Sequence, residues 1–153
     1  MITAEMPLKE LYEADEVAWL DATAELIRFG NIEAIDFVNL EEFLTAMARS
    51  DRRAVISRFE VLLSHILKWL FQPTKRSRSW ALTIKTQQRA LLEEMKLKSL
   101  RNHALDEWEN VYDASREFAM IETGLAISTF PEVSPLSLDQ ALSFNADTTG
   151  LED

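Results

Sequence analysis

A chain of 153 residues, 47% hydrophobic and 27% charged, fits one soluble domain long enough to bury roughly two-thirds of its unfolded surface. Without cysteine, disulfides and thiolate metal sites are excluded; three glycines and four prolines leave too little punctuation for many short strands, so long helices are predicted. A net charge of −10 weighs against nucleic acid as a ligand, since phosphates must be neutralised by cations.

The opening stretch MITAEMPLKELYEADE lacks the basic start and apolar run of a secretory leader. The longest apolar stretch, from Phe59, is interrupted by Glu60, His65 and Lys68 before it reaches the about 18 residues of a membrane span. A cytoplasmic protein without a membrane segment is expected.

Leu11, Val17, Trp19, Leu20, Ala24 and Ile27 recur near helical spacing and predict a first helix from Leu8 to Phe29. Gly30-Asn31 ends it, because both residues tolerate a left-handed C-cap. Ile32 to Val38 reads as a connector with apolar plugs at Ile32, Ile35 and Phe37. Asn39 is a candidate N-cap, with Glu42 as the other half of a capping box. Phe43, Leu44, Met47, Val55, Phe59, Leu62, Leu63, Ile66 and Leu70 then recur every three or four residues, with no Gly or Pro before Pro73. One helix from Leu40 to about Phe71 is the simplest reading; a cap at Ser50 would make it two.

Pro73 stops that helix and disfavours helical geometry at Gln72. A turn over 73–78 follows, and Ser77 or Ser79 caps a helix carrying Trp80, Ile84, Leu91, Leu92 and Met95. A turn within Leu97–Asn102 is predicted before an amphipathic helix with Leu105, Trp108, Val111, Tyr112, Ser115, Phe118 and Ala119, closed by Gly124. The stretch ISTFPEVSP, with its two prolines, is expected to run extended over the surface. Ser137 with Gln140 caps a short helix through Leu142. The polar end NADTTGLED is expected to be disordered, giving a domain of residues 1–144 and a tail of 145–153. The architecture expected is all-α: an up-and-down bundle of four or five helices with a C-terminal tail packed on the outside.

Charge is unevenly placed. From Lys68 to Arg101 nine Lys/Arg face two Asp/Glu, a balance of +7, whereas the remainder balances at −17. The basic stretch is a hairpin that either packs on acidic neighbours or docks an anionic partner. At its turn, Lys75 and Arg76 follow a helix C-terminus that they complement. Arg76 and Arg78, with Ser79, also stand at the next helix N-terminus, where anions are attracted. Trp69 and Trp80 flank the turn; interleaved with cations they suit base stacking, but at helical spacing beside Leu70 and Ile84 they suit packing better.

Other chemistries have less behind them. Bundles build metal sites from carboxylates and histidines on facing helices, yet neither His65 nor His103 forms a Glu-x-x-His pair; Asp15, Glu42, His65 and Glu122 would have to converge through packing. There is no Gly-x-Ser-x-Gly elbow and no phosphate-cradling glycine loop.

Several motifs stand in a common order: His65-Ile66-Leu67-Lys68-Trp69, Gln72-Pro73, Arg76-Ser77-Arg78-Ser79-Trp80 and Thr83-Ile84. They are preceded by Tyr12-Glu13, Trp19, Asp36, Asn39-Leu40, Glu42 and Arg49-Ser50, and followed by Glu122-Thr123-Gly124-Leu125 and Phe130-Pro131-Glu132. From Tyr12 to Leu142 the chain resembles a bacterial family, the domain-of-unknown-function family numbered twenty-nine. The resemblance implies an all-helical, bundle-like fold and no particular activity. The chain departs from the family pattern at Phe43 and Thr45, where members often carry acidic residues, at Ser134 in place of a cysteine, and at Gln88 in place of an arginine.

The functional expectation is a non-enzymatic interaction protein without cofactor or metal. It would dock an acidic protein partner or its own copy through Lys75, Arg76, Arg78, Ser79, Trp80 and Trp69. The alternative is a bundle enzyme or metal-binding protein that uses His65 with Glu42 or Glu122.

Overall fold

The computed structural model describes residues 6–152. Among them the chain is all-α, with seven α-helices and no strand. The four or five helices expected become seven because two predicted segments are each divided. The chain forms two compact units that meet in sequence between Arg49 and Ser50.

In the first unit, α1 (Leu8–Ala14) and α2 (Glu16–Arg28) replace the single helix expected over Leu8 to Phe29. Asp15 adopts φ −155° and ψ 88°, outside helical space, and its carboxylate accepts the Ala18 N–H at 3.1 Å. A residue able to satisfy an orphan N–H thus ends one helix and begins the next. Gly30, at φ 73°, closes α2. Its N–H donates to the Ile27 carbonyl at 3.1 Å and that of Asn31 to Leu26 at 2.8 Å, the paired bonds of a Schellman cap. Trp19 is fully buried, its ring 4.7 Å from Tyr12 and 6.0 Å from Phe43 between centroids.

Helix α3 (Phe37–Phe71) is continuous over 35 residues, so the break at Ser50 does not occur. Its start corrects the expected Asn39–Glu42 capping box. Asp36, buried, accepts the Asn39 N–H at 3.3 Å and the Asn39 side-chain amide at 2.6 Å. The carboxylate three residues upstream takes the capping role, and Asn39 becomes its donor.

In the second unit, α3 buries Val55, Phe59, Leu62, Leu63, Ile66 and Leu67 along one face. Against them lie Ile84 and Leu91 of α4 (Arg78–Glu94), Leu100 and Ala104 of α5 (Lys98–Asp106), and Val111 and Ala119 of α6 (Trp108–Thr123). The turn expected within Leu97–Asn102 is displaced. α4 closes with the Met95 N–H on the Leu91 carbonyl at 2.8 Å, and α5 is already under way where Arg101 donates to Leu97 at 3.0 Å. The interruption that separates the last amphipathic helix falls at Glu107, with φ −92° and ψ 2°.

The segment after Gly124 follows α6 through a ladder of side-chain donors spaced four residues apart on one helical face. Arg116 donates to the carbonyls of Phe130 (3.1 Å from Nε) and Ile127 (3.0 Å from Nη2). The Tyr112 hydroxyl donates to Pro131, and the Trp108 indole to Leu136 at 3.3 Å. Irregular backbone can lie against a core only if its polar groups are satisfied, and these donors supply that. Phe130 is buried as a result, 5.8 Å from Phe71 between ring centroids. The short helix α7 (Leu138–Ser143) carries the capping box of Ser137 and Gln140. α7 packs on α4, where the buried Gln88 amide donates to the carbonyls of Ala141 at 3.0 Å and Phe144 at 2.8 Å.

Replacing Gln88 by Ala takes its amide from both carbonyls and leaves that of Ala141 only the longer bond from the Phe144 N–H, 3.4 Å. A loss of about 1–3 kcal/mol in unfolding free energy is expected, read in urea titrations as a lower midpoint.

Candidate functional site

The basic turn is built by its neighbours in sequence. Helix α3 ends at Phe71, because Pro73 offers no N–H to continue its ladder, and Pro73–Lys75 forms one 3-10 turn. Ser77 adopts extended geometry and accepts the Trp80 N–H at 3.2 Å, so Ser77 rather than Ser79 caps α4. Arg76 folds back over the end of α3. Its Nε donates to the Trp69 carbonyl at 2.8 Å and its guanidinium lies 5.1 Å from the centre of the Trp69 ring. That carbonyl is one of the four that a helix C-terminus leaves without an internal partner, and a cation is the favoured group to meet it.

Lys68 sits one turn of α3 before the end and is 6% exposed, against the usual behaviour of lysine. Its ammonium pairs with Glu122 of α6 and lies 5.1 Å from the centre of the Trp80 ring. Carboxylate and ring face together compensate the loss of water.

The predicted residues therefore divide. Trp69 is buried and holds Arg76, while Trp80 is partly buried and faces Lys68. Lys75, Arg78 and Ser79 are exposed. Basic side chains continue along α4 beyond the turn. Lys85 and Arg89, both exposed, stand one turn apart and are flanked by Leu82 and Leu92, which are 68% and 50% exposed. This stripe was missing from the sequence reading; Leu, Lys, Arg and Leu at i, i+3, i+7 and i+10 was the signal that could have found it. A cavity of about 500 Å³ lies beside it, between Lys85 and Gln88 of α4 and Phe144 and Thr148 of the C-terminal segment.

His65 lies near this cluster on α3. Its Nδ1 is 2.8 Å from the Val61 carbonyl; a carbonyl only accepts, so Nδ1 carries the proton and Nε2 the lone pair when the ring is neutral. Burial lowers the His65 pKa, and the Lys68 charge adds to that, against the opposing pull of the Val61 bond and Glu122. Glu122 is engaged by Lys68, and Glu42 belongs to the first unit, exposed on α3. Among the described residues no cluster of three His, Asp or Glu side chains is placed to hold a metal ion. No described helix is long and apolar enough to cross a membrane.

The fold and this site define an all-helical protein whose helix-to-helix turn is fixed by a Trp–Arg contact and whose buried lysine is shared among three helices. The sequence model of the family described as Domain of unknown function DUF29 matches residues 11–145, and the chain belongs to that family. Neither curated proteins nor solved structures gave a match.

Two outcomes test the cluster. Glu122→Ala leaves the Lys68 ammonium buried without its carboxylate. A loss of about 2 kcal/mol is expected, below the figure for a wholly buried pair because Glu122 is half-exposed; Lys68→Met, which removes the charge itself, costs less. His65 titrates with the sign of a lowered pKa. Its contribution is complete above about 6.5, the ordinary histidine value, and is lost as pH falls through the lower folded value. Thermal midpoints of wild type and His65→Gln should therefore converge on acidification, whatever other groups contribute to both.

Proposed function

We propose that the protein is a non-enzymatic helical interaction protein that docks an acidic partner, or its own copy, through the basic turn of residues 75–80. The observation that carries the reading is the concentration of nine Lys/Arg against two Asp/Glu between Lys68 and Arg101 in a chain of net charge −10. Opposite charge on a partner would speed encounter and fix orientation. Lys75, Arg78 and Ser79 would meet the partner, being exposed; Arg76 would position the turn through its bond to the Trp69 carbonyl. The commitment of both tryptophans to cations of the same chain supports a carboxylate-bearing protein over a stacked base.

The test is affinity purification of the tagged full chain from its native cell, comparing wild type with Lys75→Glu/Arg78→Glu after circular dichroism shows equal helicity. An acidic companion, or an untagged copy of the chain, is expected with wild type and absent from the variant. Retention should also weaken with added salt, which screens exposed charges. Equal recovery of every companion from both proteins would make the turn structural only.

A further inference from the structure

We infer that the chain self-associates, the first unit of one copy docking on the exposed face of α4 in another. The inference rests on the docking reading above, extends it from the turn of residues 75–80 onto the adjoining face of α4, and names its occupant. The two surfaces are complementary in charge. Residues 1–49 carry three Lys/Arg and eleven Asp/Glu, a balance of −8, whereas the exposed stripe of α4 between Leu82 and Leu92 carries Lys85 and Arg89 and no carboxylate.

They are also complementary in shape of pattern. Nine of the exposed large hydrophobics among the described residues lie before Arg49, the first third of the chain. On the first turns of α3, Phe37, Glu41, Leu44 and Met47 share one face, with Phe37 55%, Leu44 59% and Met47 50% exposed. On α4 the matching face carries Leu82, Lys85, Arg89 and Leu92. Each stripe has an apolar anchor at either end, ten residues apart, which in a helix is about 15 Å. Each places its charge between those anchors, acidic on α3 and basic on α4. Two helices side by side can thus bring both leucines of α4 against Phe37 and Met47 while Lys85 or Arg89 meets Glu41. Lys85 and Arg89 form no ion pair with another described residue, so they bring their charge to the contact uncommitted. Because the two faces are different patches of one chain, two copies exchanging them reciprocally close a two-fold dimer, whereas a one-way contact extends into a longer assembly.

The measurement is sedimentation equilibrium of the full chain over a concentration series. Wild type should show a multiple of the 17.6 kDa chain. Lys85→Glu/Arg89→Glu and Glu41→Lys/Glu42→Lys, each reversing one face, should run as single chains with unchanged helicity. An equimolar mixture of the two should associate again, since each supplies the charge the other has lost. A single-chain mass for wild type at every concentration overturns the inference, as does a mass for either variant equal to wild type. The docking reading would survive that failure if the native-cell experiment still lost an acidic companion with Lys75→Glu/Arg78→Glu, and it would then belong to a different protein as occupant.

Discussion

One ammonium group ties the second unit together at the end where the site lies. Lys68 belongs to α3, the ring it faces to α4, and the carboxylate it meets to α6. A buried cation without partners would lose stability heavily, so the three helices must approach closely enough to supply Trp80 and Glu122. That requirement sets where α4 begins relative to the end of α3, and with it the path of the turn between them. Arg76 then acts on the same turn from the other side, closing the Trp69 carbonyl. Geometry at the candidate site is thus a by-product of how two cations are satisfied.

The same arrangement recurs at greater distance. Arg58 joins α3 to α4 through Glu94 at 2.9 Å and Gln87 at 3.3 Å. Arg101 joins α5 to α7 through Asp139 at 2.7 Å, which lowers the Asp139 pKa, mainly through the hydrogen bond. Arg116 holds the segment after Gly124 by its carbonyls. Several basic side chains of this unit are therefore turned inward or along helix seams, while Lys75, Arg78, Lys85 and Arg89 stay exposed at the turn and along α4. Surface pairs such as Lys96 with Glu93 add little to stability.

How far the sequence was legible depended on whether the deciding interaction was local. The long α3, its end before Pro73, the Ser77 alternative for the α4 cap, the Gly30 and Gly124 closures and the Ser137–Gln140 box all rest on residues within four positions of one another, and all were readable. The break at Asp15 was not, because an aspartate there suits the polar face of one helix as well as a cap, and only its backbone angles and its bond from the Ala18 N–H divide the two. Asp36 and Asn39 are both good caps; burial of the carboxylate decided between them. Within the site, Lys75, Arg76 and Arg78 looked equivalent. The contact that sets Arg76 apart spans seven residues, and the one that buries Lys68 spans 54. Gln88, set against a family arginine, gave no sign that it donates to two carbonyls over fifty positions away.

The donor ladder on α6 has a consequence for biosynthesis. Phe130, Leu138, Ala141 and Leu142 complete the core that α3, α4 and α6 begin, and they come from the last sixth of the chain. While the ribosome still holds those residues, Trp108, Tyr112 and Arg116 face no carbonyls and the apolar face of α3 lacks its final cover. Until those residues emerge, the nascent chain presents hydrophobic surface of the kind that holdase chaperones bind.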